Sequence, residues 1–314
     1  MNVLCLTPVE HIDSIVTILS SIGDVTYLPF ATKEQMMQAQ TEKEYGAIFV
    51  NPNMMTYRLD EETVSDSVEI VCTASTGTNH IDKEFCNLKH IKIISLTTDY
   101  DVIRKISSTA EHAFALMMAI IRNIPTAFDS VKAGSWDYLP FIGRQIDQLT
   151  IGVVGYGRLG RMMATYCEAF GAKVVVCDPY IKWCHFEKQT LEYVFSFCDV
   201  VSLHVHLNNE TTGMIDKRLF DMHHNKGLYL VNTSRGGIVN EQDVIESIKN
   251  GQLLGYATDV VSDELGHIGD SPIIEASKTH NIIVTPHIGG MTKDAQEMAY
   301  RRVAKRLCEM ARDK

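Results

Sequence analysis

The sequence predicts an α/β fold of two doubly wound parallel-sheet domains, one inserted into the other, and three observations predict it. Short apolar runs alternate with helical stretches along almost the whole chain. At 314 residues the chain is long enough for two domains of ordinary size, each with its own core. The stretch 151–160, Ile-Gly-Val-Val-Gly-Tyr-Gly-Arg-Leu-Gly, sets a G-x-G-x-x-G pattern between an apolar run and a helical one.

From the start of the chain, residues 3–6, 24–27, 47–50, 70–73 and 92–95 read as strands, being short apolar runs. Helices are expected near 11–20, 33–40 and 60–66, on both faces of a small parallel sheet. Residues 107–132 predict one long helix in which Ala110, Ala113, Phe114, Leu116, Met117, Met118, Ile120 and Ile121 leave little polar face. Such a helix must be buried nearly all round, one face on its own domain and another on a second subunit. Pro125 is expected to kink or interrupt it. Residues 133–148, with Trp136, Tyr138 and Phe141 among turn formers, read as an extended arm. The expectation is a homodimer through the 107–148 region.

Ile151, Val153 and Val154 suit a buried parallel strand, and the residues after Gly160 a helix. Gly155 permits the tight turn and Gly157 lets the backbone approach a pyrophosphate. Gly160 lets helix and strand pack closely, and Arg158 and Leu159 join the contacts at the helix N-terminus. The next strand, 173–177, ends on Asp178, where a carboxylate can accept both hydroxyls of an adenosine ribose. This favours NAD over NADP, because a 2′-phosphate would meet a like charge and Pro179 and Tyr180 offer no arginine. Glycines also collect in ordinary turns, but here the strand, the helix and the acid supply the context of a Rossmann domain. Helices at 190–197, 216–222 and 241–249 and strands at 199–204, 227–232, 255–258 and 282–285 continue that sheet, and a last helix covers 293–312. The NAD-binding Rossmann domain is placed at 101–289. It is inserted into a flavodoxin-like substrate domain of residues 1–100 and 290–314, with a ligand expected in the cleft between the domains.

With 45% apolar and 22% charged residues, neither a disordered nor a membrane protein is suggested. A net charge of −10 disfavours nucleic acid as a partner. Residues 1–8 lack the charged start and apolar core of a signal peptide, and the most apolar run, 113–121, is short of the roughly 20 residues a spanning helix needs. Eight cysteines are scattered without a C-x-x-C pair or zinc spacing, so no metal is expected and the thiols read as reduced, in a cytoplasmic protein.

Three further stretches stand at or just after predicted strands: Asn-Thr-Ser-Arg-Gly-Gly at 232–237, Asp-Val-Val-Ser-Asp-Glu at 259–264, and Thr-Pro-His-Ile-Gly-Gly at 285–290. Through these stretches and the glycine motif the chain resembles the D-isomer-specific 2-hydroxyacid dehydrogenase family, from Thr-Gly-Thr-Asn-His-Ile-Asp at 76–82 to Gly290. The resemblance implies an NAD-dependent oxidoreductase that interconverts a small 2-oxo acid and its D-2-hydroxy acid, with Arg235, Glu264 and His287 as the catalytic set. A histidine suits the proton transfer because imidazole titrates near neutral pH. Glu264 would bond its other ring nitrogen, favour the imidazolium and fix the ring, and Arg235 would grip the substrate with its planar fork. The resemblance also places the substrate carboxylate on amides around Ser75, Thr76 and Gly77. It puts Asp259 on the nicotinamide carboxamide, Thr233 and Ser234 along that pocket, and His204, with His206, beside the cofactor. Taken singly, Arg235 reads equally as a solvated residue at a helix start, Glu264 as part of a charged loop, and His287 as a core histidine.

The pattern departs from the family at Asp147-Gln148, at 265–270 after Glu264, and at 51–55, where many relatives carry arginine. A phosphorylated substrate would then draw on Arg104 or Lys105. No regulatory extension is expected after the last helix. The rival reading is an NAD-sensing, corepressor-like binding protein on the same fold, which the three residues do not exclude and the absence of basic patches disfavours.

Overall fold

The computed structural model describes residues 1–52, 56–224, 227–264, 269 and 271–312. The chain separates into two units, 1–106 with 291–314, and 107–290. In the first, β1 (Val3–Cys5), β2 (Val25–Tyr27), β3 (Ala47–Val50), β4 (Ile70–Thr73) and β5 (Lys92–Ile94) pair in parallel in the order β2-β1-β3-β4-β5. Every residue of β3 and β4 is buried, as a parallel sheet covered on both faces requires. Around it lie α1 (Ile15–Ser20), α2 (Lys33–Glu42), α3 (Lys83–Leu88) and α4 (Tyr100–Ile103), with α12 (Lys293–Arg312) returning from the far end of the chain. Ala295, Ala299, Tyr300, Val303, Ala304, Leu307 and Cys308 form the buried stripe of α12, spaced by three and four residues as on one helical face.

The helix expected over 60–66 is a set of turns. Thr63 Oγ1 accepts the Asp60 amide at 2.9 Å and donates to the Arg58 carbonyl at 2.9 Å, while Asp60 Oδ1 accepts the Glu62 amide at 3.1 Å. These local bonds offer the backbone an alternative to the helical ladder. Helix α3 was not expected; Asp82 caps it by accepting the Phe85 amide at 3.0 Å.

Before α4, Asp99 accepts from Arg302 Nε at 2.9 Å and Arg306 Nη1 at 2.8 Å, so the last helix is tied to the end of this sheet. Burial opposes its charge, but the two arginines outweigh that and hold the Asp99 carboxyl below its usual range. A value lower in the folded state than in the unfolded chain stabilises at neutral pH and is lost as pH falls through the folded value. Asp99→Asn is expected to lower the unfolding free energy by about 1–2 kcal/mol at about pH 7, the low end because both arginines reach water. The gap from wild type should close below about pH 4, as urea unfolding at a series of pH values would show.

The second unit holds β6 (Thr150–Val154), β7 (Lys173–Cys177), β8 (Glu187–Lys188), β9 (Val200–Leu203), β10 (Leu228–Asn232), β11 (Leu253–Thr258) and β12 (Ile282–Val284). All pairs are parallel, in the order β12-β11-β10-β9-β6-β7-β8. Its helices are α5 (Ser108–Ile121), α6 (Ile124–Lys132), α7 (Arg158–Ala169), α8 (Leu191–Phe197), α9 (Lys217–Phe220), α10 (Glu241–Lys249) and α11 (Pro272–Ser277). Two apolar layers flank the sheet. Leu116, Met117, Ile120, Ile151, Val153, Met163 and Val176 form one, and Val154, Phe195, Phe220, Leu230 and Tyr256 belong to the other.

The single helix expected over 107–132 is two. The break falls at Asn123, left-handed at φ 52°, and Pro125 sits in the first turn of α6, where its missing amide proton costs nothing. Helix α5 buries its stripe within its own unit, whereas α6 buries no residue. The expected arm at 133–148 is a chain of bends and short 3-10 turns, with Trp136, at 91% exposed, beside exposed Tyr138, Leu139 and Ile142. No single helix among the described residues is long and apolar enough to cross a membrane, and all eight cysteines are free.

Candidate active site

Because the strands of the second unit are parallel, the segments that follow them share one sheet edge. Read across the sheet, His287 follows β12, Asp259 and Glu264 follow β11, and Thr233, Ser234 and Arg235 follow β10. Next come His204 after β9, the glycine loop after β6 and Asp178 after β7. Strand order reverses between β9 and β6, which is where ligands bind in such sheets.

The three glycines of the loop act differently. Gly155 is left-handed at φ 89°, a conformation that side chains with a Cβ rarely take. A Cβ on Gly160 would lie 1.9 Å from the Gly155 carbonyl oxygen, so α7 and the loop touch through backbone. A Cβ on Gly157 would meet nothing within 4 Å, although Gly157 is the N-cap of α7 and no side chain caps that helix. The loop is thus open at the glycine that caps the α7 N-terminus, where helix amides are suited to an anion. Asp178 is aimed by that loop: Oδ2 accepts the Tyr156 amide at 2.8 Å and Oδ1 the Tyr180 amide at 2.9 Å.

His204 Nε2 meets Ser202 Oγ at 2.9 Å, and its Nδ1 is buried with no partner among the described residues. Burial lowers its pKa to about 4, so the ring is neutral at physiological pH. Thr233 Oγ1 is likewise buried without a partner there. Ser234 donates to the Leu203 carbonyl at 2.8 Å, joining the ends of β9 and β10. Arg235 Nη1 bonds the Ser234 carbonyl at 2.6 Å; burial pulls the guanidinium pKa down and the Glu264 charge opposes it.

The structure brings Glu264 and His287 together, with Oε2 2.8 Å from Nδ1. His287 takes a left-handed φ of 54°. That turn is braced by Asp259, which is 2% exposed. Asp259 Oδ1 accepts Thr285 Oγ1 at 2.6 Å and the Ile288 amide at 2.8 Å, and Oδ2 accepts the Gly289 amide at 2.7 Å. A Cβ on Gly289 would come within 2.9 Å of Oδ2, so this approach needs glycine. Burial disfavours the Asp259 charge, but these bonds, with that from His112, hold its carboxyl below the usual range. The carboxylate expected on the nicotinamide thus also holds the His287 turn. His112, on α5, was missed by sequence reasoning. Its Nε2 lies 2.9 Å from Thr285 Oγ1 and 3.3 Å from Asp259 Oδ1, and its one signal is a polar residue opening a long apolar stripe.

Ser75, Thr76 and Gly77 follow β4 in the first unit. There the Gly77 amide donates to Ser75 Oγ at 3.0 Å, and Thr97 Oγ1 donates to the Thr76 carbonyl at 3.0 Å. Arg104 is exposed and lies over the Tyr100 ring at 6.0 Å. Residues 53–55, and 265–270 apart from Gly269, where the sequence departs from the family pattern, lie outside the described residues. Among the described residues no group of three or more His, Cys, Asp or Glu could hold a metal ion.

Residues 114–289 match the model of the D-isomer specific 2-hydroxyacid dehydrogenase, NAD binding domain. The chain is 32% identical over 252 residues to D-3-phosphoglycerate dehydrogenase of Bacillus subtilis, covering 78% of this chain and 46% of that one. It is 31% identical over 289 residues to D-3-phosphoglycerate dehydrogenase of Rattus norvegicus, covering 90% and 51%. The chain thus spans about half the length of the curated relatives it matches. Among solved structures, D-lactate dehydrogenase from Aquifex aeolicus, complexed with NAD and lactic acid, superposes with a TM-score of 0.82 at 25% identity, covering 100% of this chain and 96% of that one.

Proposed function

This chain belongs to the D-isomer-specific 2-hydroxyacid dehydrogenase family, and from that premise we propose that it interconverts a small 2-oxo acid and its D-2-hydroxy acid with NAD(H). The observation that carries the reading is the His287–Glu264 pair, 2.8 Å apart at the same sheet edge as the glycine loop. The open Gly157, the aimed carboxylate of Asp178 and the unpartnered Thr233 hydroxyl fit a dinucleotide. In the proposal Gly155, Gly157, Arg158, Leu159, Gly160, Asp178, His204, Thr233, Ser234 and Asp259 hold it. Bound there, NADH would supply a hydride to the carbonyl carbon of the 2-oxo acid, and NAD would accept one from the carbinol carbon of the 2-hydroxy acid.

The residues do the rest. As the carbonyl oxygen gains charge it needs a proton. With Nδ1 on Glu264, His287 presents Nε2 to that oxygen, gives the proton in reduction and takes it back in oxidation. Arg235, anchored at Ser234, polarises the carbonyl with a guanidinium whose charge is worth more for being half-buried. Asp259, braced by His112, holds the His287 turn. The substrate carboxylate is assigned to the amides around Ser75, Thr76 and Gly77.

The exposed apolar side chains Phe128, Val131, Trp136, Tyr138, Leu139 and Ile142 support a homodimer through the 107–148 region, which the mass in solution would test. The eight free cysteines support a cytoplasmic setting.

The test is NADH oxidation against glyoxylate, hydroxypyruvate, pyruvate, 2-oxoglutarate and phosphohydroxypyruvate. Turnover with at least one acid is expected, and silence across the panel with NADH bound would sink the reading. Asp178→Ala removes the charge that repels a 2′-phosphate and frees the Tyr156 amide. The ratio of kcat/KM for NADH over NADPH is expected to fall by about 10- to 100-fold.

A further inference from the structure

Glu241 stands outside every role given above, yet it touches the loop that carries Glu264. It is the first residue of α10, whose N-cap Asn240 accepts the Gln242 and Asp243 amides at 3.1 and 3.2 Å, so its backbone is fixed. Glu241 Oε1 accepts the Ser262 amide at 2.9 Å, two residues before Glu264, and the Ser262 side chain also bonds it. On the neighbouring turn, a Cβ on Gly236 would lie 2.0 Å from the Val261 carbonyl carbon and 2.3 Å from the Ser262 nitrogen. The Arg235–Gly236 backbone therefore rests directly on Val261–Ser262. Building on the dehydrogenase reading, we propose that Glu241 is a positioning residue for the catalytic pair: its carboxylate clamps the Glu264 loop onto the Arg235 turn and so sets the Glu264–His287 hydrogen bond.

Two features argue against a merely solvated glutamate. Glu241 is half-buried, and burial pushes its carboxyl up, as does the charge of Glu264, against the bonds from Ser262. Holding a second carboxylate close to Glu264 is unfavourable by itself. The contact that compensates is the one to Ser262. The chain of contact runs from α10 through Glu241, Ser262 and Glu264 to His287 Nδ1, and no step in it needs a bound ligand.

Glu241→Ala and Glu241→Gln separate a clamp from a generic packing role, because glutamine keeps an oxygen for the Ser262 amide and loses the charge. With the best acid of the panel, Glu241→Ala is expected to lower kcat about tenfold or more, with the KM for NADH and the thermal midpoint close to wild type. Glu241→Gln should restore most of kcat. An unchanged kcat in the alanine variant, or equal damage in both variants, would overturn the proposal. The downfield proton resonance of His287 Nδ1, followed without substrate, gives a second reading. It should shift or broaden in the alanine variant and return in the glutamine variant, and an unaltered resonance overturns the clamp. Absence of turnover in the wild type would instead strike the dehydrogenase reading and leave the resonance to decide the clamp. If the alanine variant fails to fold, Glu241→Asp, shorter by one methylene, replaces it with the same outcomes.

Discussion

His287→Ala is expected to lower kcat by about 100- to 10,000-fold while NADH binds nearly as in the wild type. The split follows from where the residue stands. Its ring bonds Glu264 and its backbone amide bonds the Thr285 carbonyl, whereas the glycine loop and Asp178 lie beyond three and four intervening strands of the sheet. Removing the imidazole removes the proton donor and leaves Asp259 to hold the turn through the Ile288 and Gly289 amides. NADH fluorescence titration and single-turnover absorbance would be measured on one preparation. Turnover within a few fold of wild type would end the proton-transfer assignment.

Arg235→Lys should lower kcat/KM by about 100-fold, through both a higher KM for the 2-oxo acid and a lower kcat. Lysine keeps the charge, so the test isolates geometry. The guanidinium bonds the Ser234 carbonyl through one nitrogen, which leaves the fork's other donors for a planar oxyanion or carboxylate. An ammonium is a point charge that desolvates less readily in the same half-buried place. Full activity in the lysine variant would reduce Arg235 to a local structural charge. Unchanged affinity for NADH in both variants would keep the defect at the substrate and not at the cofactor.

Much of the fold was legible because its signals are local. The strands Ala47–Val50, Ile70–Thr73 and Lys173–Cys177 and the helices Glu241–Lys249 and Lys293–Arg312 have the limits expected from apolar runs and helical spacing. The interruption was legible in Pro125, but its position at Asn123 was not, since a left-handed turn there has no apolar signature. Helix α11 and the two-residue β8 were also missed, one short and opening with proline, the other exposed and charged. At the site, the family resemblance pointed to Arg235, Glu264 and His287, residue types that suit the proposed chemistry, whereas each taken singly had a structural reading. The bracing of Asp259 could not be read, because its partner His112 lies 147 positions away and joins it only once α5 packs beneath the sheet. Glu241 was hidden for the same reason: its bond to Ser262 spans 21 residues and two elements.

The G-x-G-x-x-G signature, finally, is not one unit of inheritance but two. Alanine at Gly155 or Gly160 collides with the protein's own backbone, so those alleles should appear as poorly accumulating, heat-labile protein before any cofactor is added. Alanine at Gly157 meets nothing. That allele should yield a normal amount of protein with an ordinary thermal midpoint, blind only to NADH. A melting curve taken with and without NADH would sort the two kinds of lesion, and a Gly157→Ala protein still stabilised by NADH would show that the opening serves something else.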